Sequence, residues 1–129
     1  LAPLPLDRGA RLRGGSEGML HWLAGLTVVH TAADHWTTYL CLRGPIEGWR
    51  VSELNPLADW LFATFGLVPG LLIDSTITLA AIAFLLTTGL FPRTAKGVCF
   101  AVLVFSTTWA VVNNLFAIEA LGLSPLGVA

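Results

Sequence analysis

Residues 30–40, HTAADHWTTYL, hold an aspartate, two histidines and three threonines inside a run that is otherwise apolar. Thr27, His30, Thr31, Asp34, Thr37, Thr38 and Cys41 recur at steps of three and four, so on a helix they form one polar stripe. Leu23, Leu26, Ala33, Trp36 and Leu40 fall on other faces, suited to lipid or a second subunit. Threonines between apolar helices act mostly as hydrogen-bonding glue. A carboxylate is different, because an ionisable group in an apolar helix faces the bundle interior or a water-filled cavity and marks sites for ions, protons or polar ligands. Asp34 is therefore the residue around which chemistry is sought, with His30 one turn away.

Other elements bring polar side chains to a matching depth. Asp34 lies eight residues before Leu42, and Asn113 lies eight before Leu121 on a helix running the other way. Each is thus about 12 Å from the same end of the bundle. Asp74 and Thr78 enter from that end on a third helix, and Asn114 neighbours Asn113. The sequence predicts a cluster of Asp34, His30, Thr37, Thr38, Glu53, Asn55, Asp74, Thr78, Asn113 and Asn114, with Asp34 protonated or hydrogen-bonded by His30 or Asn113. A short helix following Glu53 and Asn55 could act as its lid.

The elements that must position these residues follow from composition. The chain has 129 residues, 55% hydrophobic and only 12% charged, with mean hydropathy +0.76. A soluble domain carries about 25% charged residues, so half that share implies an integral membrane protein. Seven basic residues against eight acidic give no electrostatic footprint for nucleic acid. Three stretches have the roughly 20 apolar residues a bilayer requires: 19–42, about 71–91, and 97–121. The expected fold is all-α, a three-transmembrane-helix bundle, with Pro69 early in the second span and Pro92 closing it. Asn55-Pro56 reads as a helix cap followed by a first-turn proline. It starts a short helix, about 56–65, that is interfacial or re-entrant.

Residues 1–18, rich in Pro, Gly and Arg, are expected to be a partly extended cytoplasmic tail, and 122–129 an external tail. Arg8, Arg11, Arg13, Arg93 and Lys96 stand on one side and only Arg43 and Arg50 on the other. The excess of positive charge inside places the N-terminus in the cytoplasm and the C-terminus outside a bacterial inner membrane. Cys41 and Cys99 fall near opposite faces, too far apart to pair.

Sharper chemistries find less support. His30 and Asp34 share a face, and Glu53 or Asp74 could approach, but no histidine lies beyond the first helix, so no metal site is expected. His21, His30 and His35 sit on one helix and cannot supply two axial haem ligands from facing helices. No cofactor is predicted, although His35, Trp36 and Trp109 are candidate contacts for a partner or pigment, with His35 turned about 100° from Asp34 toward a neighbouring subunit. No nucleophile elbow or His-Glu-x-x-His motif occurs, and no catalytic residue is expected.

Asp34-x-x-Thr37-Thr38, Glu53-x-Asn55-Pro56 and Asn113-Asn114 together resemble an uncharacterised family of small three-helix bacterial inner-membrane proteins, over about residues 19–121. The resemblance implies the same topology and singles out Asp34, Glu53, Asn55, Pro56 and Asn113, but supplies no reaction. The arginine-rich start lies outside that pattern. The leading functional expectation is a non-catalytic accessory subunit of a larger inner-membrane complex, respiratory or photosynthetic, with lipid and other subunits as partners. The alternative is a small homo-oligomeric membrane protein binding an ion, proton or polar ligand at the Asp34 cluster.

Overall fold

A computed structural model describes residues 8–127. Among them are four helices and no strand, only an isolated bridge between Ile46 and Trp49. The helices are α1 (Arg8–Leu42), α2 (Pro56–Phe65), α3 (Leu67–Thr87) and α4 (Arg93–Ala120). Two of them, α3 and α4, are long and apolar enough to cross a membrane, rather than the three expected. Helix α1 has the length, but its polar stripe and histidines dilute its apolar character.

Helix α1 is longer than foreseen. Its backbone is helical from Arg8, so residues 8–18 continue the helix instead of forming an extended tail, while 1–7 lie outside the described residues. Its 35 residues reach about 52 Å. Glu17, on this extension, accepts a hydrogen bond from Arg93 at 2.6 Å, which ties it to the start of α4.

The short helix forms where its caps predict. The Asn55 side chain accepts from Leu57 N at 3.1 Å, Pro56 takes the first turn, and Glu53 Oε1 accepts from Asn55 N at 2.8 Å. Gly66, at φ +89°, turns the chain sharply into α3. Helix α3 therefore starts at Leu67, four residues before the expected position, and ends at Thr87. Pro92 does not close it but precedes the first turn of α4, where its missing N–H leaves no bond unmade. Helices α2 and α3 lie close enough that a Cβ on Gly70 would meet Phe62 Cδ1 at 2.6 Å.

Helix α4 ends at a left-handed glycine. Gly122 has φ +68°, its N–H donates to Glu119 O, and the next N–H, from Leu123, donates to Ile118 O. These paired bonds make a Schellman ending, with its usual apolar contact between the residue after the glycine and the last turn; Leu123 packs on the cluster holding Ile118. Residues 122–127 consequently do not trail away. They fold back onto α1, and Trp36 Nε1 donates to Pro125 O at 2.9 Å.

Helix α1 is the centre of the bundle. Helices α3 and α4 each pack against it and scarcely against each other. Near the α3–α4 connection, Leu20, Ala24, Ile82 and Phe100 form an apolar cluster, with Phe100 fully enclosed. At the opposite end Leu40, Cys41 and Ile118 form a second one. Leu40, expected on an outward face, is 1% exposed because the C-terminal turn covers it.

Candidate functional site

Beside the second cluster, under the 43–55 loop, lies a cavity of about 570 Å³. Helix α1 lines it with Asp34, His35, Thr38 and Cys41, α3 with Leu71 and Asp74, and α4 with Trp109, Ala110, Asn113, Asn114 and Ala117. Trp49 to Asn55 of the loop and Ala58 and Phe62 of α2 cover it. The short helix after Glu53 thus contributes Ala58 and Phe62 to the lining.

Two polar links hold the walls to α1, on two of its faces. On the α4 side, Asn114 Nδ2 lies 3.2 Å from Asp34 Oδ1, 3.1 Å from Thr37 Oγ1 and 3.0 Å from Thr38 Oγ1. One amide group, with two protons, serves three acceptors. Thr37 passes its own hydroxyl proton back to the α1 backbone, at Ala33 O and Asp34 O, which leaves its oxygen free to accept. Cys41 Sγ–H points at Asn114 O, 3.8 Å away. Thr27, Thr37 and Thr38 are all buried in this contact face.

On the α3 side, His35 Nε2 lies 2.8 Å from Asp74 Oδ2, and Ser75 Oγ lies 2.7 Å from His35 Nδ1. A carboxylate can only accept, so the ring carries its proton on Nε2. A neutral ring then accepts the Ser75 hydroxyl at Nδ1. This is the proton order of a serine–histidine–aspartate relay, but Ser75 is not among the residues lining the cavity. The α3 backbone N–H groups around it are committed to their own helix.

Several expected residues move in role. His35, assigned to a neighbouring subunit, instead pins α3 to α1 within the chain. The partner of Asp34 is Asn114; Asn113 is exposed and lines the cavity without bonding to the carboxylate. His30 bonds to Leu26 O one turn back and stands outside the cavity, as does Thr78 one turn beyond Asp74. Glu53 lines the cavity while holding Asn55 N, and Asn55 is occupied in capping α2. Trp36 is engaged with the C-terminal turn on one side and remains 46% exposed. Trp109 is 69% exposed at the cavity margin.

Ser75 was not foreseen, and the signal for it lay in the depth of the helix. With α3 beginning at Leu67, Asp74 is seven residues in, and His35 is seven residues from the end of α1 at Leu42. Both are about 10 Å deep. Among the described residues, no group of three or more His, Cys, Asp or Glu is placed to hold a metal ion. No family model, curated protein or solved structure matches the chain. The resemblance drawn above rests on its motifs alone.

Proposed function

We infer that the protein is a small integral membrane protein whose cavity binds a small polar ligand within the membrane, held between Asp34–Asn114 on one wall and His35–Asp74 on the other. The observation that carries this reading is the cavity itself. Its volume falls within the few hundred to a thousand Å³ of small-molecule sites, and carboxylates from three separate segments line it. Glue between helices needs no such space, since polar side chains that only join helices meet directly.

The membrane setting is supported by α3 and α4. Both are apolar along their length, yet only 11% of each apolar window is buried in the bundle. Side chains such as Leu72, Leu79, Phe105 and Phe116 face outward. Helices apolar all round are stable when something apolar surrounds them, and lipid is the surrounding that requires no further protein. The same lipid accounts for the exposed surface that an accessory subunit would offer to a complex, so that surface gives no preference for the accessory reading. With α1 as the third span, the arginine-rich start and the 88–96 connection lie together in the cytoplasm, and the cavity opens in the outer half of a bacterial inner membrane.

Gentle extraction from the native membrane, with the mass of the eluted particle recorded, separates the two functions. A ligand-binding protein elutes as the chain itself, alone or as a homo-oligomer. Stoichiometric foreign subunits on the same peak would overturn this reading in favour of an accessory subunit.

A further inference from the structure

Resting on that reading, we propose that the ligand is a protonated amine carried on an apolar body, entering sideways between α3 and α4. Asp34, Glu53 and Asp74 line the cavity from α1, the loop and α3, and Arg50 is the only Lys or Arg among its lining residues. Each carboxylate spends one oxygen within the protein: Asp34 Oδ1 on Asn114, Asp74 Oδ2 on His35, and Glu53 Oε1 on Asn55 N. Among the described residues the second oxygen of each has no hydrogen-bond donor. Those oxygens are not sealed in the protein either, because among the described residues the one fully buried side-chain polar atom without a partner is Thr31 Oγ1. They are unbonded, accessible acceptors on residues that line the cavity.

The acceptors are spread over separate walls and are not gathered into a coordination shell. A cavity of about 570 Å³ is also far larger than a bare ion, since one water occupies only about 30 Å³ in the liquid. A cation carried on a larger body matches this layout: an ammonium, with three donors and no acceptor, pairs with one of these carboxylates while its apolar body occupies the remaining volume. Trp49, Trp109 and Phe62 also line the cavity; aromatic faces both attract cations and cover apolar groups. The route follows from the packing. Helices α3 and α4 scarcely touch, and the cavity reaches the gap between them, bounded by Leu71 and Asp74 on one side and by Trp109 and the exposed Asn113 on the other. In a membrane that gap faces the acyl chains, so the amine arrives either as a free amphiphile or as the headgroup of an amino lipid.

The test uses the full chain in nanodiscs of phosphatidylglycerol, titrated with phenethylamine and, separately, with the neutral 2-phenylethanol. Thermal stability and tryptophan emission are the readouts. A second set of nanodiscs contains phosphatidylethanolamine. Phenethylamine is expected to bind at least tenfold more tightly than the alcohol, and Glu53→Gln, which keeps the acceptor for Asn55 N, should weaken it at least threefold. Asn113→Trp, filling the cavity from an exposed position, should abolish binding. Stabilisation by phosphatidylethanolamine, lost in Asn113→Trp, identifies the lipid headgroup as the source; a response to phenethylamine alone identifies a free amine. Equal binding of amine and alcohol, both blocked by Asn113→Trp, would overturn the ammonium assignment and leave the cavity as a binding site. No response to any of the three probes would overturn both.

Discussion

The two halves of the bundle use the same three helices to opposite ends. Near the α3–α4 connection, Leu20 and Ala24 of α1, Ile82 of α3 and Phe100 of α4 close into a dry cluster. Toward the 43–55 loop, the same helices carry Asp34, His35, Asp74 and Asn114 and leave a cavity between them. In the first half, apolar packing joins α3 and α4 to α1, with the Glu17–Arg93 bond at its edge. In the second, each is joined by a specific hydrogen-bonded link, and the space between the links stays open. A closed apolar end can hold the bundle together while the other end keeps groups unpaired, a division of labour that stability alone would not select.

The comparison makes mutational predictions of graded size. The largest effect is expected for Phe100→Ala, which empties a fully enclosed site and should cost about 3–5 kcal/mol. Reversible unfolding in mixed micelles would show it, and a loss below about 1 kcal/mol would mean that the dry end does not hold the fold. Next comes Asn114→Leu, which removes the donor shared by Asp34, Thr37 and Thr38. The expected loss is about 1–3 kcal/mol, the cost of stranding buried polar groups, whereas Asn113→Ala should change stability by less than about 0.5 kcal/mol, as exposed positions do. Equal losses at the two positions would erase the assignment of Asn114 as the link. A double-mutant cycle of His35→Leu with Asp74→Leu should yield a coupling of about 0.6 kcal/mol and no more than about 1.7 kcal/mol, the average and the maximum measured for polar pairs between membrane helices. Zero coupling would remove the α1–α3 link. A more local effect is expected for Trp36→Phe, which keeps an aromatic ring and loses the bond to Pro125 O, about 0.5–1.5 kcal/mol, read as faster amide exchange in residues 122–127.

How much of this was legible in the sequence depended on the kind of signal. The short helix announced itself through Asn55, Pro56 and Gly66, because caps and prolines act locally, and its bounds coincide with those expected. The polar stripe of α1 was also legible, since helical period alone places Thr27, Thr37, Thr38 and Cys41 on a buried face. Depth pointed to the end of α4 but could not choose between Asn113 and Asn114. Neighbours differ by only about 1.5 Å in depth and by 100° in direction, and only the direction decides which one meets Asp34. His35 was misread for a related reason. A single inward face was assumed for α1, but α1 is central and has two, one for α4 and another for α3. The late start assigned to α3 then placed Asp74 too shallow to meet it. Helix α1 itself shows the limit of counting apolar residues: its polar stripe takes it below the apolarity that α3 and α4 reach.

The central claim, an open polar cavity set within the membrane, is tested most directly by cysteine accessibility in the reconstituted protein. On a background in which Cys41 and Cys99 are replaced by serine, Asn113→Cys faces the cavity, while Val112→Cys is also exposed on α4 but lies outside the lining. A small charged methanethiosulfonate, which needs hydrated thiolate, is predicted to label Asn113→Cys at least tenfold faster than Val112→Cys. Equal rates at the two positions, whether both fast or both negligible, would contradict it.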